Sequence, residues 1–180
     1  MKKLLLVLAL SSLFIAVLVQ TVSAKCSHPV YSQDLNKSTR LCGENFVLNS
    51  GLAVSSDNVD IDCSSAVLKG SLFSKNTGIV IEDRKNVTLR DCRIVNYAVG
   101  IIVRNSSNVF LSEITFLRNF VGVKIIDSFN VSIVDGFDIS LEKPIHVSNS
   151  RNNTFHYFNK KIKGDFCAYN SCGKLAQSLS

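Results

Sequence analysis

Three acidic residues recur at a fixed step of 22: Asp91, Glu113 and Asp135. If residues one step apart sit on neighbouring strands, their carboxylates stack about 5 Å apart. Such groups repel, so they raise one another's pKa or share a cation. That chemistry suits Ca²⁺ binding or acid–base work on a sugar linkage. Asp62 is the candidate for the same column one copy earlier. The same positions also suit plain corners, with Arg90 and Arg93 beside them as counter-charges. Tyr97, Phe120 and Tyr157 offer ring faces of the kind that stack on pyranoses, or else they pack strand ends. Lys160, Lys161 and Lys163 form a cationic cluster that suits an anionic polymer or a solvated edge. No metal-ligand pattern stands out. There is no Cys-x2-Cys pair, and His28, His146 and His156 lie apart from the cysteines.

The acidic column implies elements that repeat, and the repeat is plain. Asn86-Val-Thr-Leu, Asn108-Val-Phe-Leu, Asn130-Val-Ser-Ile and Asn152-Asn-Thr-Phe begin at that same step. Gly78, Gly100 and Gly122 also keep it, with Pro144 next. So do Asp83, Asn105, Asp127 and Asn149. Asn58-Val-Asp-Ile opens an earlier copy at a longer offset from Asn86, and the surplus is placed around Lys69 to Asn76. Each copy carries three short runs with strand alternation, such as Ile101-Ile-Val, Val109-Phe-Leu and Thr115-Phe-Leu. Three such short strands within one copy cannot pair among themselves. They can coil, each pairing with its equivalent one lap on. Ile79, Ile101, Val123 and Ile145 then form one inward stack, and Ile81, Val103, Ile125 and Val147 another. Asn58, Asn86, Asn108, Asn130 and Asn152 form an inward amide ladder at a corner. A leucine-rich repeat shares the period, but there Asn follows the strand, whereas here it precedes it.

The fold class read from this pattern is all-β: a right-handed, single-stranded parallel β-helix of about five rungs. Residues 1–24 read as a signal peptide, with Lys2 and Lys3, an apolar run from Leu4 to Val19, and Val22-Ser23-Ala24 before the cleavage point. Residues 25–57 are then an N-terminal cap with the first strands, 58–159 the rungs, and 160–180 a C-terminal cap. All six cysteines follow the signal, and an even count in an exported chain reads as a disulfide set. One bridge is expected in each cap, Cys26 with Cys42 and Cys167 with Cys172. Cys63 and Cys92 fall on adjacent rungs, where a Cα separation of about 5 Å permits a bridge and a buried thiol pair is the alternative. Of five Asn-x-Ser/Thr sequons, Asn36 and Asn105 are the expected glycan acceptors. Asn86, Asn130 and Asn152 belong to the inward ladder.

The chain has 180 residues, 46% of them hydrophobic and 19% charged, which fills one core and excludes disorder. Its formal charge of +6 is mild and dispersed, so no nucleic-acid partner is expected. No second apolar run approaches the length that crosses a bilayer, so no membrane span is expected after cleavage.

Taken together, Ser56-Asp-Asn-Val-Asp-Ile-Asp-Cys-Ser-Ser-Ala-Val-Leu-Lys-Gly70, the Asn-Val-Thr-Leu-x-Asp-Cys stretch and the Gly-Ile-x-Val-x-Asn-Ser-Ser stretch resemble known proteins. The pattern is similar to the right-handed parallel β-helix of pectin-lyase-like proteins. It is closest to the periplasmic copper-binding (NosD-type) β-helix repeat family, over about residues 45–160. The resemblance implies the coil. A polygalacturonase-like member would carry an Asp-Asp pair, a Gly-His-Gly and an Arg-x-Lys, and the sequence has none of these. The expected function is an exported, non-catalytic β-helix module, structural or carbohydrate-binding, in a secreted, periplasmic or surface location. A polysaccharide or cell-surface glycan is the expected partner. The alternative is a small polysaccharide lyase or hydrolase using Asp91, Glu113 and Asp135. A second alternative is NosD-like metal handling. No cofactor is expected beyond Ca²⁺ at the acidic column.

Overall fold

A computed structural model describes residues 26–29, 34–71, 76–140, 142–157 and 174–175. The signal-peptide reading, Cys167, Cys172, the lysine cluster and the side chain of Tyr157 lie outside the described residues.

The chain winds lap by lap. The first lap holds β1 (Asp34–Leu35), β2 (Thr39–Arg40) and β3 (Asn45–Val47). The second holds β4 (Leu52–Val54), β5 (Val59–Asp62) and β6 (Val67–Lys69). The third holds β7 (Thr77–Glu82), β8 (Lys85–Arg90) and β9 (Arg93–Val95), and the fourth β10 (Val99–Arg104), β11 (Ser107–Ser112) and β12 (Thr115–Leu117). The fifth holds β13 (Val121–Ile126) and β14 (Phe129–Ile139), which runs through two faces. Then come β15 (Lys143–Ser148), β16 (Thr154–Tyr157) and β17 (Lys174–Leu175). Every strand pairing is parallel, each strand bonding its equivalent one lap away. The result is an all-β solenoid of about five turns with three faces. The first face is β1-β4-β7-β10-β13-β15. The second runs from β2 through β5, β8, β11 and β14 to β16 and β17, and the third is β3-β6-β9-β12 with the end of β14.

Alternation turns every second side chain into the bore. Ile79, Ile101, Val123 and Ile145 stack as expected, as do Ile81, Val103, Ile125 and Val147. Leu68, Ile94 and Phe116 line the third face from inside. Each such side chain removed from water stabilises the coil by about 1.5–3 kcal/mol. The glycine column has a packing cause. A Cβ on Gly100 would lie 2.6 Å from the Gly122 carbonyl oxygen and 2.6 Å from the Phe116 ring.

Most corners turn on one residue with positive φ, and most of these are Asn or Asp, the L-residues that best tolerate it. Asn58, Asn86, Asn108 and Asn130 lie at φ 54–57° and link side chain to side chain. Asn86 donates to Asn58 (2.8 Å), Asn108 to Asn86 (3.0 Å) and Asn130 to Asn108 (2.8 Å). This ladder corrects the inward expectation, because all four residues are solvent-exposed. An αL corner swings its side chain outward, and the bore is left to the strands.

A second, buried ladder carries no signal in the Asn and Gly columns. Ser106 Oγ accepts from Arg84 N–H, Ser128 Oγ from Ser106 N–H, and Ser150 Oγ from Ser128 N–H. These hydroxyls receive the corner amides that no strand partner reaches.

The second lap also departs from expectation. Its offset to the next lap is 28 at Val59↔Val87 and 26 at Lys69↔Val95, and it is back to 22 at Thr77↔Val99. Four of the surplus residues therefore fall between Lys69 and Thr77. The other two are Ser64 and Ser65, both at positive φ, in the corner after Cys63. Cys63 and Cys92 are bridged, with Cα atoms 4.9 Å apart and neither residue exposed. Cys26 and Cys42 are bridged at the same Cα separation.

Candidate functional site

The third face is the place where the chemistry-bearing residues gather. Its outward positions form two columns. One contains Val67, Arg93, Thr115 and Phe137, the other Val47, Lys69, Val95, Leu117 and Ile139. Phe137 is 42% exposed and Ile139 54%. One border of this floor is the acidic column and the other is the corner of Arg118 followed by Phe120. Glu113 and Arg118 are the two ends of one lap's crossing, which spans about 16 Å at strand rise.

The acidic column exists as a stack. Asp91 N–H bonds Ser112 C=O and Glu113 N–H bonds Val134 C=O, so Asp91, Glu113 and Asp135 occupy one corner on consecutive laps. All three have positive φ. Asp91 accepts from Ser65 Oγ at 2.9 and 3.1 Å. Asp62 does not join them. It is in register with Arg90, because the two-residue insertion puts Ser65 next to Asp91 instead. Arg90 pairs with Asp60 (3.3 Å) and Asp62 (3.6 Å), not with the acidic column. Among the described residues, no group of three or more His, Cys, Asp and Glu side chains converges tightly enough to hold a metal ion.

The aromatic candidates separate. Phe120 is 44% exposed at the Arg118 border. Tyr97 is completely buried, its hydroxyl donating to Leu48 C=O at 2.8 Å and its ring packed where Gly70 and Gly78 leave room. Burial pushes its phenol up, away from ionisation. Tyr97 therefore cannot present a face to a sugar; it closes the core beneath the corner. Phe137 takes its place as an exposed ring. The sequence does carry a signal for it, since Phe137 lies one step beyond Thr115 at an outward position of the same strand series.

The histidines are not brought together. His28 is at the N-terminal end with Glu44, His146 points outward from the first face, and His156 lies in β16 of the second. Burial, then the nearby Lys124 and Lys143, push the pKa of His146 down. Of the glycan-acceptor candidates, Asn36 is exposed, and Asn105 is exposed with its amide donating to Asp83 at 2.7 Å. Asn86, Asn130 and Asn152 are exposed too, so burial is not what distinguishes them.

One buried acid is missed by sequence reasoning. Asp138 stands in the inward column after Ile94 and Phe116 and is 7% exposed. Ser140 N–H donates to its Oδ1 at 2.6 Å. Burial outweighs that bond and raises its pKa to about 6.

An apolar, partly aromatic floor between carboxylates on one side and Arg118 with Phe120 on the other suits a ligand having both C–H faces and hydroxyls.

The sequence family described as "right handed beta helix region" matches residues 44–173. Curated proteins give no significant sequence match. Among solved structures, the chain is similar to one titled "putative glycosyl hydrolase" from Parabacteroides merdae, with a TM-score of 0.58 and 12% identity. The match covers 79% of this chain and 77% of that one.

Proposed function

This chain belongs to the right-handed β-helix family, and on that premise we propose that it is an exported, non-catalytic module that binds carbohydrate on its third face. The observation that carries this reading is the floor of exposed Phe137 and Ile139 with half-buried Leu117. Phe120 and Arg118 flank it on one side, Glu113 and Asp135 on the other. Aromatic and aliphatic groups receive the C–H faces of pyranose rings, and the flanking charged groups take the hydroxyls by charge-assisted hydrogen bonds. The three laps from Arg93 to Phe137 span about 10 Å, which suits two or three sugar units. Two disulfides are compatible with an extracytoplasmic setting. The structural neighbour described as a "putative glycosyl hydrolase" supports the ligand class.

The stacked carboxylates favour a second reading, in which Asp91, Glu113 and Asp135 cleave the bound polysaccharide or hold Ca²⁺ against it. A triple variant separates the two. With Asp91→Asn, Glu113→Gln and Asp135→Asn made together, glycan-array binding should weaken but persist, because the apolar floor, Phe120 and Arg118 remain and the amides still hydrogen-bond hydroxyls. Release of reducing ends or unsaturated products by the wild type, lost in that variant, would establish the catalytic reading instead.

A further inference from the structure

The two disulfides among the described residues stand in opposite environments. Cys63–Cys92 is sealed in the bore. Cys26–Cys42 is asymmetric, with Cys26 exposed and Cys42 buried. His28 Nδ1 lies 3.5 Å from Cys42 Sγ, and His28 Nε2 lies 3.3 Å from Glu44 Oε1. As an imidazolium, His28 donates from both nitrogens, to the sulfur and to the carboxylate. Beside Cys26 opens a cavity of about 540 Å³, whose wall carries two cations, Lys37 and Arg40, against one carboxylate, Asp34.

We propose that Cys26–Cys42 is a thiol–disulfide exchange site for a small anionic peptide thiol. The cavity seats the thiol, and Lys37 and Arg40 attract its carboxylates. Only Cys26 can be reached, so the incoming thiolate attacks Cys26 Sγ. A new S–S bond forms there, the Cys26–Cys42 bond breaks, and Cys42 leaves as a thiolate. His28, oriented by Glu44, stabilises that thiolate, which speeds its departure. A second thiolate then attacks the external sulfur of the mixed disulfide and releases Cys26. Two external thiols lose two electrons and become a disulfide, and the protein disulfide becomes two thiols. This site is at the N-terminal end of the coil and does not rest on the carbohydrate reading.

The test treats the folded, oxidised chain with reduced glutathione and maps the products by alkylation and peptide mass. The expected result is opening of Cys26–Cys42 while Cys63–Cys92 stays closed, with transient glutathione on Cys26. His28→Ala should slow opening about tenfold, and Glu44→Gln should slow it less. Lys37→Gln with Arg40→Gln should slow the reaction with glutathione but not with uncharged 2-mercaptoethanol. If His28→Ala does not fold, Glu44→Gln and the paired cation variant carry the test. Opening of both disulfides together, glutathione on Cys42, or wild-type rates in these variants would overturn the proposal.

Discussion

Asn108 occupies the middle of the exposed amide ladder, and replacing it separates two contributions. Its Nδ2 donates to Asn86 and its Oδ1 accepts from Asn130, at 3.0 and 2.8 Å. Its φ is 54°. Asn108→Ala loses both bonds, at about 0.5–1 kcal/mol each for exposed amides. It also places a Cβ residue without a compensating side chain in αL, at about 1 kcal/mol. The expected loss is about 2–3 kcal/mol. Asn108→Gly loses the same bonds but not the αL term. It should sit about 1 kcal/mol above Ala, less the entropy that glycine adds to the unfolded chain. Urea unfolding of the oxidised proteins reads this as a shift in midpoint at unchanged slope. A midpoint for Asn108→Ala indistinguishable from wild type would refute the ladder's contribution. Equal losses for Ala and Gly would refute the αL argument.

Other perturbations follow from the packing. Phe116→Ala empties a fully buried site and should cost about 3–5 kcal/mol by the same urea assay. Gly100→Ala forces a Cβ against the Gly122 carbonyl and the Phe116 ring, with an expected loss of about 1–3 kcal/mol or more. Asp138 is raised to about 6 in the fold, above its ordinary carboxyl value. Its neutral form is the one the fold favours, so that stability is present below about pH 4 and is lost as pH rises through 6. Asp138→Asn should remove this slope and be more stable than wild type at neutral pH by about 3 kcal/mol. Urea midpoints in acid and at neutrality check it, and an unchanged pH slope contradicts the assignment.

The laps are readable because one repeated step sets three independent columns, and parallel register converts that step directly into contact. The aliphatic stacks of Ile79 and Ile81 follow from alternation alone. What sequence misses has geometric causes. The Asn ladder reads as inward because amides pairing with one another suggest burial. An αL corner turns them out, and Ser106, Ser128 and Ser150 occupy the buried side. Asp62 is misplaced when two corner residues, Ser64 and Ser65, are counted with the insertion after Lys69. Tyr97 looks available to solvent although it sits beneath Gly70 and Gly78, whose missing side chains make room for its ring. Only the three-dimensional pairing of laps shows that glycines far along the chain face one tyrosine. Within the site, the acidic stack and Phe120 are legible, and Phe137 can be found by its step from Thr115, whereas Arg118 gains meaning only once the third face is laid flat.

The most direct measurement is glycan-array binding of the oxidised chain beside its Phe120→Ser, Phe137→Ser double variant. The carbohydrate reading requires binding of an oligosaccharide class by the wild type and a loss of about tenfold or more in the variant, since each stacked ring contributes on the order of 1 kcal/mol. Equal binding by both proteins, or none by the wild type, would contradict it.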